Sequence, residues 1–377
     1  MNTTLHEVST RKQLRDFIRF PDTLYKDCLY YVPALHQNQL STLSTDKNPA
    51  FGHCEAKYWL AYKDGKIAGR VAGIINHRYN QEQGGRYMRF GWMDFIEDQE
   101  VVHALFRAVE NWARQHNMQF IHGPLGFTSF DASGVLIEGF EEWPTTFGKY
   151  NDPYYDPLIR QQGYEKDADW VEYRIRTPEQ MPQRIVNLAE LVAKRYDLRH
   201  AGFNNRRELK KHTEAIFDLV NTVYRGIYGF STLTPEQIMA LSDDFIKLVD
   251  PDFVSVILDR DDRVVGFGVA IHSLVKALKK AKGSLLPLGW FHLMSALRSN
   301  DTIDLLLIGV REEYQNRGVN AMIFDKITRT IYRKGVRHIE TTRELEDNKK
   351  VQQLWTGYEA RQHKRARCYI KALQEIS

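Results

Sequence analysis

The stretch GVREEYQNRGVNAMIFDKI, residues 309–327, joins the end of an apolar strand to a charged turn and a helix. After the turn, apolar residues recur at the three- and four-residue spacing of one helix face. These residues are Met322, Ile323, Ile327 and Ile331. The stretch therefore predicts a strand, a short turn and an amphipathic helix in direct succession.

The turn QNRGVN, residues 315–320, has the chemistry of a phosphate-binding loop. A helix start leaves backbone N–H groups without partners, and the helix dipole favours negative charge there. Gly318 allows a ligand to approach the backbone closely, and Gln315 and Arg317 can donate hydrogen bonds to phosphate oxygens. Taken alone, a single glycine in a charged turn is more typical of a plain strand-to-helix loop with solvated charges, so both interpretations stay open here.

The elements around this turn occur twice in the chain. A predicted β-hairpin at 252–273 precedes the strand at 301–310 that enters the turn. An earlier hairpin at 57–79, whose KDGK turn supplies the positive φ angles of a tight turn, precedes a strand at 88–95. A helix with one apolar face follows that strand as well, and the face comprises Val101, Leu105, Ala108 and Trp112.

Each predicted helix is followed by a further strand and by a segment that begins with asparagine, Asn151 in the first unit and Asn348 in the second. Between the units, residues 176–205 carry two prolines and many charges. We therefore predict an N-terminal domain at 1–175, a linker at 176–205 that contains one helix, and a C-terminal domain at 206–377.

The two units differ at the start of the helix, where the first has DFIEDQE, residues 94–100. Its acidic side chains are Asp94, Glu97, Asp98 and Glu100. Acids at a helix start stabilise it by about 0.3–1 kcal/mol each, satisfy the free N–H groups and repel a phosphate. We therefore expect only the second unit to bind a phosphate, and the first to form one wall of the substrate cleft.

Composition limits the class of protein. The length of 377 residues fits two domains, and the net charge of +4 gives no reason to expect a nucleic-acid partner. Cys28, Cys54 and Cys368 lie far apart, which fits a reducing compartment and argues against a zinc site or a disulfide framework. The start of the chain lacks the apolar core of a signal peptide, and no run reaches 18 apolar residues. We expect a cytoplasmic monomer without a metal.

The stretch VREEYQNRGVNAMIFDKI, residues 310–327, resembles the acyl-CoA signature of the Gcn5-related N-acetyltransferase (GNAT) superfamily. In that signature a Gln or Arg, two variable residues, Gly, one variable residue and Gly or Ala cradle the pyrophosphate of coenzyme A. Gln315 and Gly318 match, whereas Asn320 stands in the place of the last small residue and Ala321 follows it. The resemblance implies an α/β (α+β) fold of two tandem GNAT-like domains, each a mixed, mostly antiparallel sheet flanked by helices.

The resemblance also implies a ligand and its site. Acetyl-CoA or a longer acyl-CoA would be the co-substrate. The residues implied to bind it are Ile308, Val310, Gln315, Asn316, Arg317, Gly318, Val319, Asn320 and Asn348. For Asn348 the alternative is an ordinary helix N-cap.

Three longer stretches are similar to a narrower group of bacterial tandem-GNAT proteins that are described as acyltransferases. They are RKQLRDFIRFPDTLYKDCLYYVPAL at 11–35, FGKYNDPYYDPLIRQQGYEK at 147–166 and ELEDNKK at 344–350. This similarity covers the whole chain and implies little about the substrate.

The resemblance names a candidate base and a candidate acid. Transfer from a thioester to an amine needs the amine neutral, and a base serves that requirement. Asp304 lies six residues before Val310, the spacing at which histone-acetylating members carry their catalytic glutamate; a strand-end Asp that caps a turn or pairs with an Arg is the alternative. Trp355 stands where many members carry the tyrosine that protonates the leaving thiolate. Tyr358 or Tyr369 is the candidate replacement, against an ordinary core or surface tyrosine.

Residues 274–300 form an insertion between two predicted strands. The insertion contains four lysines and one arginine, no acid, and the apolar run LLPLGWFHLM. Such a segment can rest on an anionic membrane or wrap a long acyl chain, whereas a helical hairpin packed on the domain is the alternative.

These observations predict a tandem-GNAT N-acyltransferase that moves an acyl group from acyl-CoA to a primary amine bound between the domains. The amine is a small molecule or a lipid-like compound, and peripheral membrane contact through 274–300 belongs to the lipid version. Two alternatives stay open: transfer from an aminoacyl-tRNA or acyl carrier protein, and a non-catalytic acyl-CoA-binding protein.

Overall fold

The structure is a computed structural model that describes residues 3–373. Its strands form one mixed sheet of 14 strands, with helices on its faces. Both units predicted from the sequence are present, and each contributes an antiparallel meander that ends in a parallel strand pair. The architecture is therefore the α/β arrangement that the sequence predicts.

The N-terminal half contains the first hairpin, whose turn residues Asp64 and Gly65 have φ angles of +51° and +75° as expected for an Asp-Gly turn. The helix Tyr155–Gln161, which precedes the strand that crosses to the other half, has only 7 residues. The elements are β1 (Thr3–Glu7), α1 (Arg11–Leu24), α2 (His36–Leu43), β2 (Cys54–Lys63), β3 (Lys66–Asn76), α3 (His77–Gln83), β4 (Tyr87–Phe95), α4 (Gln99–Gln115), β5 (Phe120–Gly123), β6 (Val135–Glu138), α5 (Tyr155–Gln161) and β7 (Glu165–Arg176).

The C-terminal half repeats the hairpin, strand and helix, with the insertion between the second and third strands of the repeat. The elements are α6 (Gln183–Tyr196), β8 (Arg199–His200), α7 (Arg206–Val223), α8 (Pro235–Leu248), β9 (Val254–Leu258), β10 (Val264–His272), α9 (Val275–Ala281), α10 (Gly289–Arg298), β11 (Thr302–Val310), α11 (Val319–Lys334), β12 (His338–Thr341), β13 (Glu344–Leu345), α12 (Lys349–Gln352) and β14 (Ala360–Ala372).

The two long helices pack their apolar faces on the sheet. All four residues predicted for the face of α11 are buried, and so are Val101, Leu105 and Trp112 of α4. Burying a large apolar side chain contributes roughly 1.5–3 kcal/mol. These two faces therefore fix the helices that follow β4 and β11.

The last strand of each half is exchanged with the other half. The strand order is β1-β2-β3-β4-β5-β14-β7-β12-β11-β10-β9-β8. Thus β14, from the end of the chain, pairs with β5 of the N-terminal half, and β7 pairs with β12 of the C-terminal half. This exchange joins both halves in one sheet. The predicted division into 1–175, 176–205 and 206–377 therefore refers only to the order of the units along the chain, and it stays a prediction.

The segment predicted as a linker, 176–205, contains the expected helix, α6, and also the short strand β8. Val186, Ala189 and Val192 of α6 are buried, and Ala189 and Val192 belong to the same apolar core as α11. The strand β8 pairs with β9. Part of this segment therefore belongs to the C-terminal core, while its charged side chains are exposed.

The insertion folds into α9 and α10, which pack against each other. Within residues 3–373, no helix has the length and apolar character needed to cross a membrane.

Candidate active site

The strands β11 and β12 are paired over 302–305 and 338–341 and then separate. Their chain continuations diverge because β13 pairs with β7 instead. Backbone groups of β11 beyond the separation need other partners. At Ile308 the hydroxyl of Tyr224 supplies them: it donates to the carbonyl oxygen at 3.2 Å and accepts from the N–H at 3.4 Å.

A cavity of about 960 Å³ opens at this separation. Side chains from both halves line it, and most of them are apolar. The N-terminal half contributes Leu35, Leu125, Phe127, Thr145 and Phe147, and the C-terminal half contributes Phe217, Tyr224, Phe245, Leu306, Ile308, Ile323, Phe324 and Ile327. The cavity reaches the insertion, where Leu285 and Leu293 also line it. Polar and charged side chains, among them Lys47, Asp131 and Arg343, also line the cavity. The apolar part of the lining can accept a hydrocarbon chain.

The predicted phosphate loop stands at the start of α11. Gly318 is the N-cap residue with a φ of +80°, no side chain caps the helix, and its first turn contains no acid. Arg317 stacks over the rings of Tyr196 and Tyr314, at 5.3 and 5.7 Å from their centroids. Gln315 is exposed, and its side chain donates to the carbonyl oxygen of Val310 at 3.1 Å. The amides at this helix start therefore have no competing acidic side chain.

The other residues implied to bind coenzyme A lie around the loop. Val319 is buried in the core beneath it, while Asn316 has a positive φ of +58° and is exposed. Asn320 is partly exposed in the first turn of α11. One turn further along, Ile323 faces the cavity, so the loop and the cavity are joined by a single helix.

The corresponding helix start in the N-terminal half is occupied by its own sequence. Asp98 is the N-cap of α4 and accepts from the amides of Glu100 and Val101 at 3.0 and 3.1 Å. Lys63 pairs with Asp98. One detail of the sequence interpretation is wrong: Asp94 is not at the helix start, because it is buried in β4 where Arg70 donates to it at 2.7 Å.

Asp304 is fully buried on β11. Its Oδ2 accepts from the backbone amide of Thr146 at 2.8 Å, while its Oδ1 has no partner within the described chain. The pKa of Asp304 is raised to about 7, chiefly by burial and to a smaller extent by the carboxylates of Glu340 and Glu172, against the hydrogen bonds from Thr146. Asp304 does not itself line the cavity; the loop that it holds does, through Thr145 and Phe147.

Asp304 and Glu340 are direct partners across the parallel pair β11 and β12. Glu340 contacts Arg174 at 3.3 Å and His363 at 2.9 Å. At the matching place in the N-terminal half, the third residue of β4 is Arg89 and its partner on β5 is His122. The carboxylate pair is therefore confined to the C-terminal half.

A second carboxylate, that of the half-buried Glu344, lines the cavity directly. Burial raises the pKa of Glu344 to about 7, and the indole N–H of Trp355 opposes that rise by donating to Oε1 at 2.9 Å. Its Oε2 is buried and accepts no hydrogen bond from residues 3–373. Sequence reasoning missed Glu344, since only its position just past β12 distinguishes it from the other acids of the chain.

Asn348 and Trp355 lie beside Glu344 in the cavity wall. Asn348 is the N-cap of α12, and its side chain accepts from the amide of Val351 at 3.4 Å. The predicted N-cap role is therefore present together with a position facing the cavity. The ring of Trp355 packs edge-on against Phe324 at 5.7 Å, which fixes the indole beside Glu344.

The two tyrosines considered as acids lie elsewhere. Tyr358 lines a different depression, together with Arg174, Arg176 and Tyr332. Tyr369 is fully buried, and its hydroxyl donates to Asp156 at 2.6 Å. The geometry brings neither tyrosine to the cavity, so Tyr358 as the acid stays a prediction without geometric support.

The part of the chain that the structure describes contains no group of three or more His, Cys, Asp or Glu residues arranged to hold a metal ion. The cavity thus combines an apolar wall with one carboxylate of raised pKa, Glu344. The start of α11 lies one turn before the lining residue Ile323, and Asp304 lies behind the wall.

No protein-family model matches the sequence. Two bacterial proteins are similar to it over nearly their whole lengths. Protein YghO of Escherichia coli (strain K12) is 28% identical over 370 residues, which cover 96% of this chain and 94% of YghO. The bacterial ceramide synthase of Caulobacter vibrioides is 25% identical over an alignment of 385 residues including gaps. The alignment covers 97% of this chain and 96% of that protein.

Solved structures are similar at the level of the fold. A tandem GNAT protein from the clavulanic acid biosynthesis pathway superposes with a TM-score of 0.56 at 10% sequence identity, and the match covers 100% of both chains. A GCN5-related N-acetyltransferase from Anabaena variabilis has a TM-score of 0.53 at 10% identity, over 99% of this chain and 73% of that one.

Proposed function

We propose that this chain, which has the tandem GNAT fold, is an N-acyltransferase that moves a long acyl group from acyl-CoA to a lipid-like amine. One observation carries the proposal: the apolar cavity of about 960 Å³ runs from the separated strands to the insertion. Sites for drug-sized ligands span roughly 300–1,000 Å³, so this volume is at the upper end and exceeds what an acetyl group needs.

The residues present fit an acyl-CoA. The start of α11 offers backbone amides without an acidic cap, and Gly318 allows close approach of a pyrophosphate. Asn348 and Ile308 line the cavity, and a pantetheine arm that entered it from the start of α11 would lie against them. The N-terminal half offers no equivalent helix start, because Asp98 already accepts from the amides there.

The reaction joins the amine nitrogen to the thioester carbonyl carbon, breaks the C–S bond and releases the thiolate of coenzyme A. The ammonium group must lose a proton before attack, and a carboxylate with a pKa near the working pH serves as base. Glu344 has such a pKa and faces the cavity. Asp304 stays a predicted base, and its hydrogen bond to Thr146 gives it a second possible role in holding the cavity wall.

The relative named as a bacterial ceramide synthase supports the lipid direction, since a ceramide is the amide of a fatty acid and a long-chain amino alcohol. The alternatives use other donors or no chemistry. An aminoacyl-tRNA or acyl carrier protein donor requires a broad binding surface for a macromolecule, and a non-catalytic acyl-CoA-binding protein requires no base.

The test measures release of free coenzyme A thiol with palmitoyl-CoA and with acetyl-CoA, using a long-chain amino alcohol as acceptor. We expect turnover with palmitoyl-CoA that exceeds turnover with acetyl-CoA at least tenfold. Equal use of acetyl-CoA contradicts the lipid version. Binding of palmitoyl-CoA without acylation of any amine in a broad amine screen contradicts catalysis and supports the binding protein.

Two variants separate the candidate bases. Glu344→Gln and Asp304→Asn are compared in the same thiol-release assay after equal folding is checked by circular dichroism. Loss of turnover confined to Glu344→Gln assigns the base to Glu344, and loss confined to Asp304→Asn assigns it to Asp304.

A further inference from the structure

The tip of the insertion exposes large apolar side chains together. Leu286, Leu288, Phe291 and Trp290 are 76%, 62%, 56% and 52% exposed, and Met294 is exposed beside them. We call these five residues the apolar platform. Within the described chain α10 packs on α9, yet Gly289 is its only buried residue and Trp290, Phe291 and Met294 stay exposed. Contiguous exposed apolar surface of this kind marks an interaction site.

Cations accompany the platform. Residues 274–300 contain five basic residues and no Asp or Glu. Lys276, Lys280, Lys282 and Arg298 are exposed, and Lys276 approaches its nearest acid, Asp301, only to 3.9 Å. An apolar face bordered by cations is complementary to a bilayer that contains anionic phospholipids.

The base of the insertion is fixed to the N-terminal half. Lys279 donates to the carbonyl oxygens of Cys28 and Tyr31 at 2.7 Å each. The amide of His36 donates to the carbonyl oxygen of Gly283 at 2.9 Å. The platform is therefore held in a defined place by the other half, while its apolar side chains stay exposed.

The platform adjoins the cavity. Leu285 is exposed and lines the cavity, and Leu293 lines it from α10. Leu35 and Asn38, at the start of α2, also line the cavity, and the neighbouring His36 contacts the insertion at Gly283. A hydrocarbon chain at the platform would thus pass into the cavity along apolar side chains, without crossing water.

We propose that the apolar platform docks on an anionic phospholipid bilayer and that lipid chains enter the cavity from the bilayer between α2 and α10. Docking is independent of any reaction, whereas the entry route rests on the proposed function. A second copy of the chain suits this face less well, because a two-fold contact would bring the same cations face to face.

The first experiment measures co-sedimentation of the full chain with vesicles of phosphatidylcholine alone and of phosphatidylcholine with 30% phosphatidylglycerol. We expect at least tenfold stronger partitioning to the anionic vesicles. The double variant Trp290→Ser/Phe291→Ser should lose at least tenfold of that partitioning. The matched control Leu191→Ser/Met239→Ser removes two equally exposed apolar side chains from α6 and α8 and should bind like the parent.

A charge variant addresses the second part of the complementarity. Lys276→Glu/Lys280→Glu keeps the apolar platform and should reduce the preference for anionic vesicles to less than threefold. Partitioning that is equal for both vesicle types, or unchanged in Trp290→Ser/Phe291→Ser, overturns the proposal. A dimer in light scattering that this variant abolishes overturns it as well, since the platform is then the contact between copies.

Turnover assays keep this proposal distinct from the proposed function. With a bilayer-embedded long-chain amine, Trp290→Ser/Phe291→Ser should slow acylation at least tenfold, while acylation of a water-soluble short-chain amine without vesicles stays within twofold of the parent. Equal rates on the embedded amine overturn the entry route. Vesicle binding without acylation of any amine contradicts the proposed function and leaves the docking supported.

Discussion

The backbone amide of Thr146, in the N-terminal half, donates a hydrogen bond of 2.8 Å to Oδ2 of Asp304 in the C-terminal half. The hydroxyl oxygen of the same threonine accepts from the amide of Leu274 at 2.9 Å, at the start of the insertion. One residue thus links β11, the cavity wall and the insertion. The buried carboxylate of Asp304 holds Thr146 in place through this hydrogen bond.

Replacement of Asp304 by Asn should change how stability depends on pH. Burial raises the pKa of Asp304 from 3.8 to about 7, so between these values the folded state holds more protons than the unfolded state. Stability therefore falls as pH rises through this range. Relative to the parent, Asp304→Asn should gain about 2–3 kcal/mol in the free energy of unfolding between pH 5 and pH 8.

Urea unfolding at both pH values measures this difference. The control is Asp301→Asn, which changes a more exposed carboxylate just before the same strand and should follow the parent at both pH values. If the difference in the free energy of unfolding between Asp304→Asn and the parent is the same at pH 5 and pH 8, folding does not raise the pKa of Asp304.

Replacement of Glu344 by Gln should abolish the pH dependence of turnover near neutrality. As a base, Glu344 must be ionised, so the rate of the parent should rise with pH through about 7, where burial places its pKa. Loss of a general base costs typically 10²–10⁴-fold in rate. We expect Glu344→Gln to lose about that factor at pH 8, and its residual rate to be flat between pH 6 and pH 8.

The measurement is the pH profile of thiol release from palmitoyl-CoA at saturating amine. Glu346→Gln is the matched control, because Glu346 lies two residues away and pairs with Lys166 and Arg365 outside the cavity. A profile in Glu344→Gln that keeps the parent's rise near pH 7 would exclude Glu344 as the titrating base.

Much of the fold follows from local pattern. The Asp-Gly turn at Asp64 and Gly65 and the apolar faces of α4 and α11 depend on residues close in sequence, and the structure has them as predicted. The exchange of β7 and β14 does not follow in this way, because strand pairing partners are chosen by tertiary contacts. For the same reason, the many charges of residues 176–205 led to the prediction of a linker, although one face of α6 is buried.

The same distinction between local pattern and tertiary contact applies to the residues of the candidate site. The loop at 315–320 and Asp304 were recognisable from spacing and from a resemblance, and both remain candidates. Glu344 was not recognisable, since its raised pKa arises from burial beside Trp355 and burial is a property of the folded chain. The prediction that acids occupy the start of α4 is correct for Asp98, which caps the helix. It is wrong for Asp94, which is buried in the core.

An acid placed at the start of α11 should weaken acyl-CoA binding and stabilise the helix. Asn320 lies in the first turn of α11, where no acid is present. Asn320→Asp imitates the start of α4 and should raise helix stability by about 0.3–1 kcal/mol through the helix dipole. The same charge repels a pyrophosphate, so we expect at least tenfold weaker binding of palmitoyl-CoA in isothermal titration calorimetry.

Asn320→Ala separates charge from the loss of the amide. It should bind palmitoyl-CoA within threefold of the parent. Equal binding by Asn320→Asp and the parent would place the pyrophosphate somewhere other than this helix start.

Trp355 occupies the position where the resemblance leads one to expect a tyrosine acid, and the structure gives it a different task. Its indole N–H donates to Oε1 of Glu344 at 2.9 Å, and this bond favours the ionised carboxylate against the effect of burial. Trp355→Phe keeps an aromatic ring beside Phe324 but removes the donor. The pKa of Glu344 should therefore rise, and the midpoint of the pH profile of turnover should move upward by about one pH unit, with less than a tenfold loss of the rate at high pH. If the rate at high pH fell while the midpoint stayed in place, Trp355 would act on a step other than the ionisation of Glu344. A shift of the midpoint therefore identifies Trp355 as a residue that tunes the base.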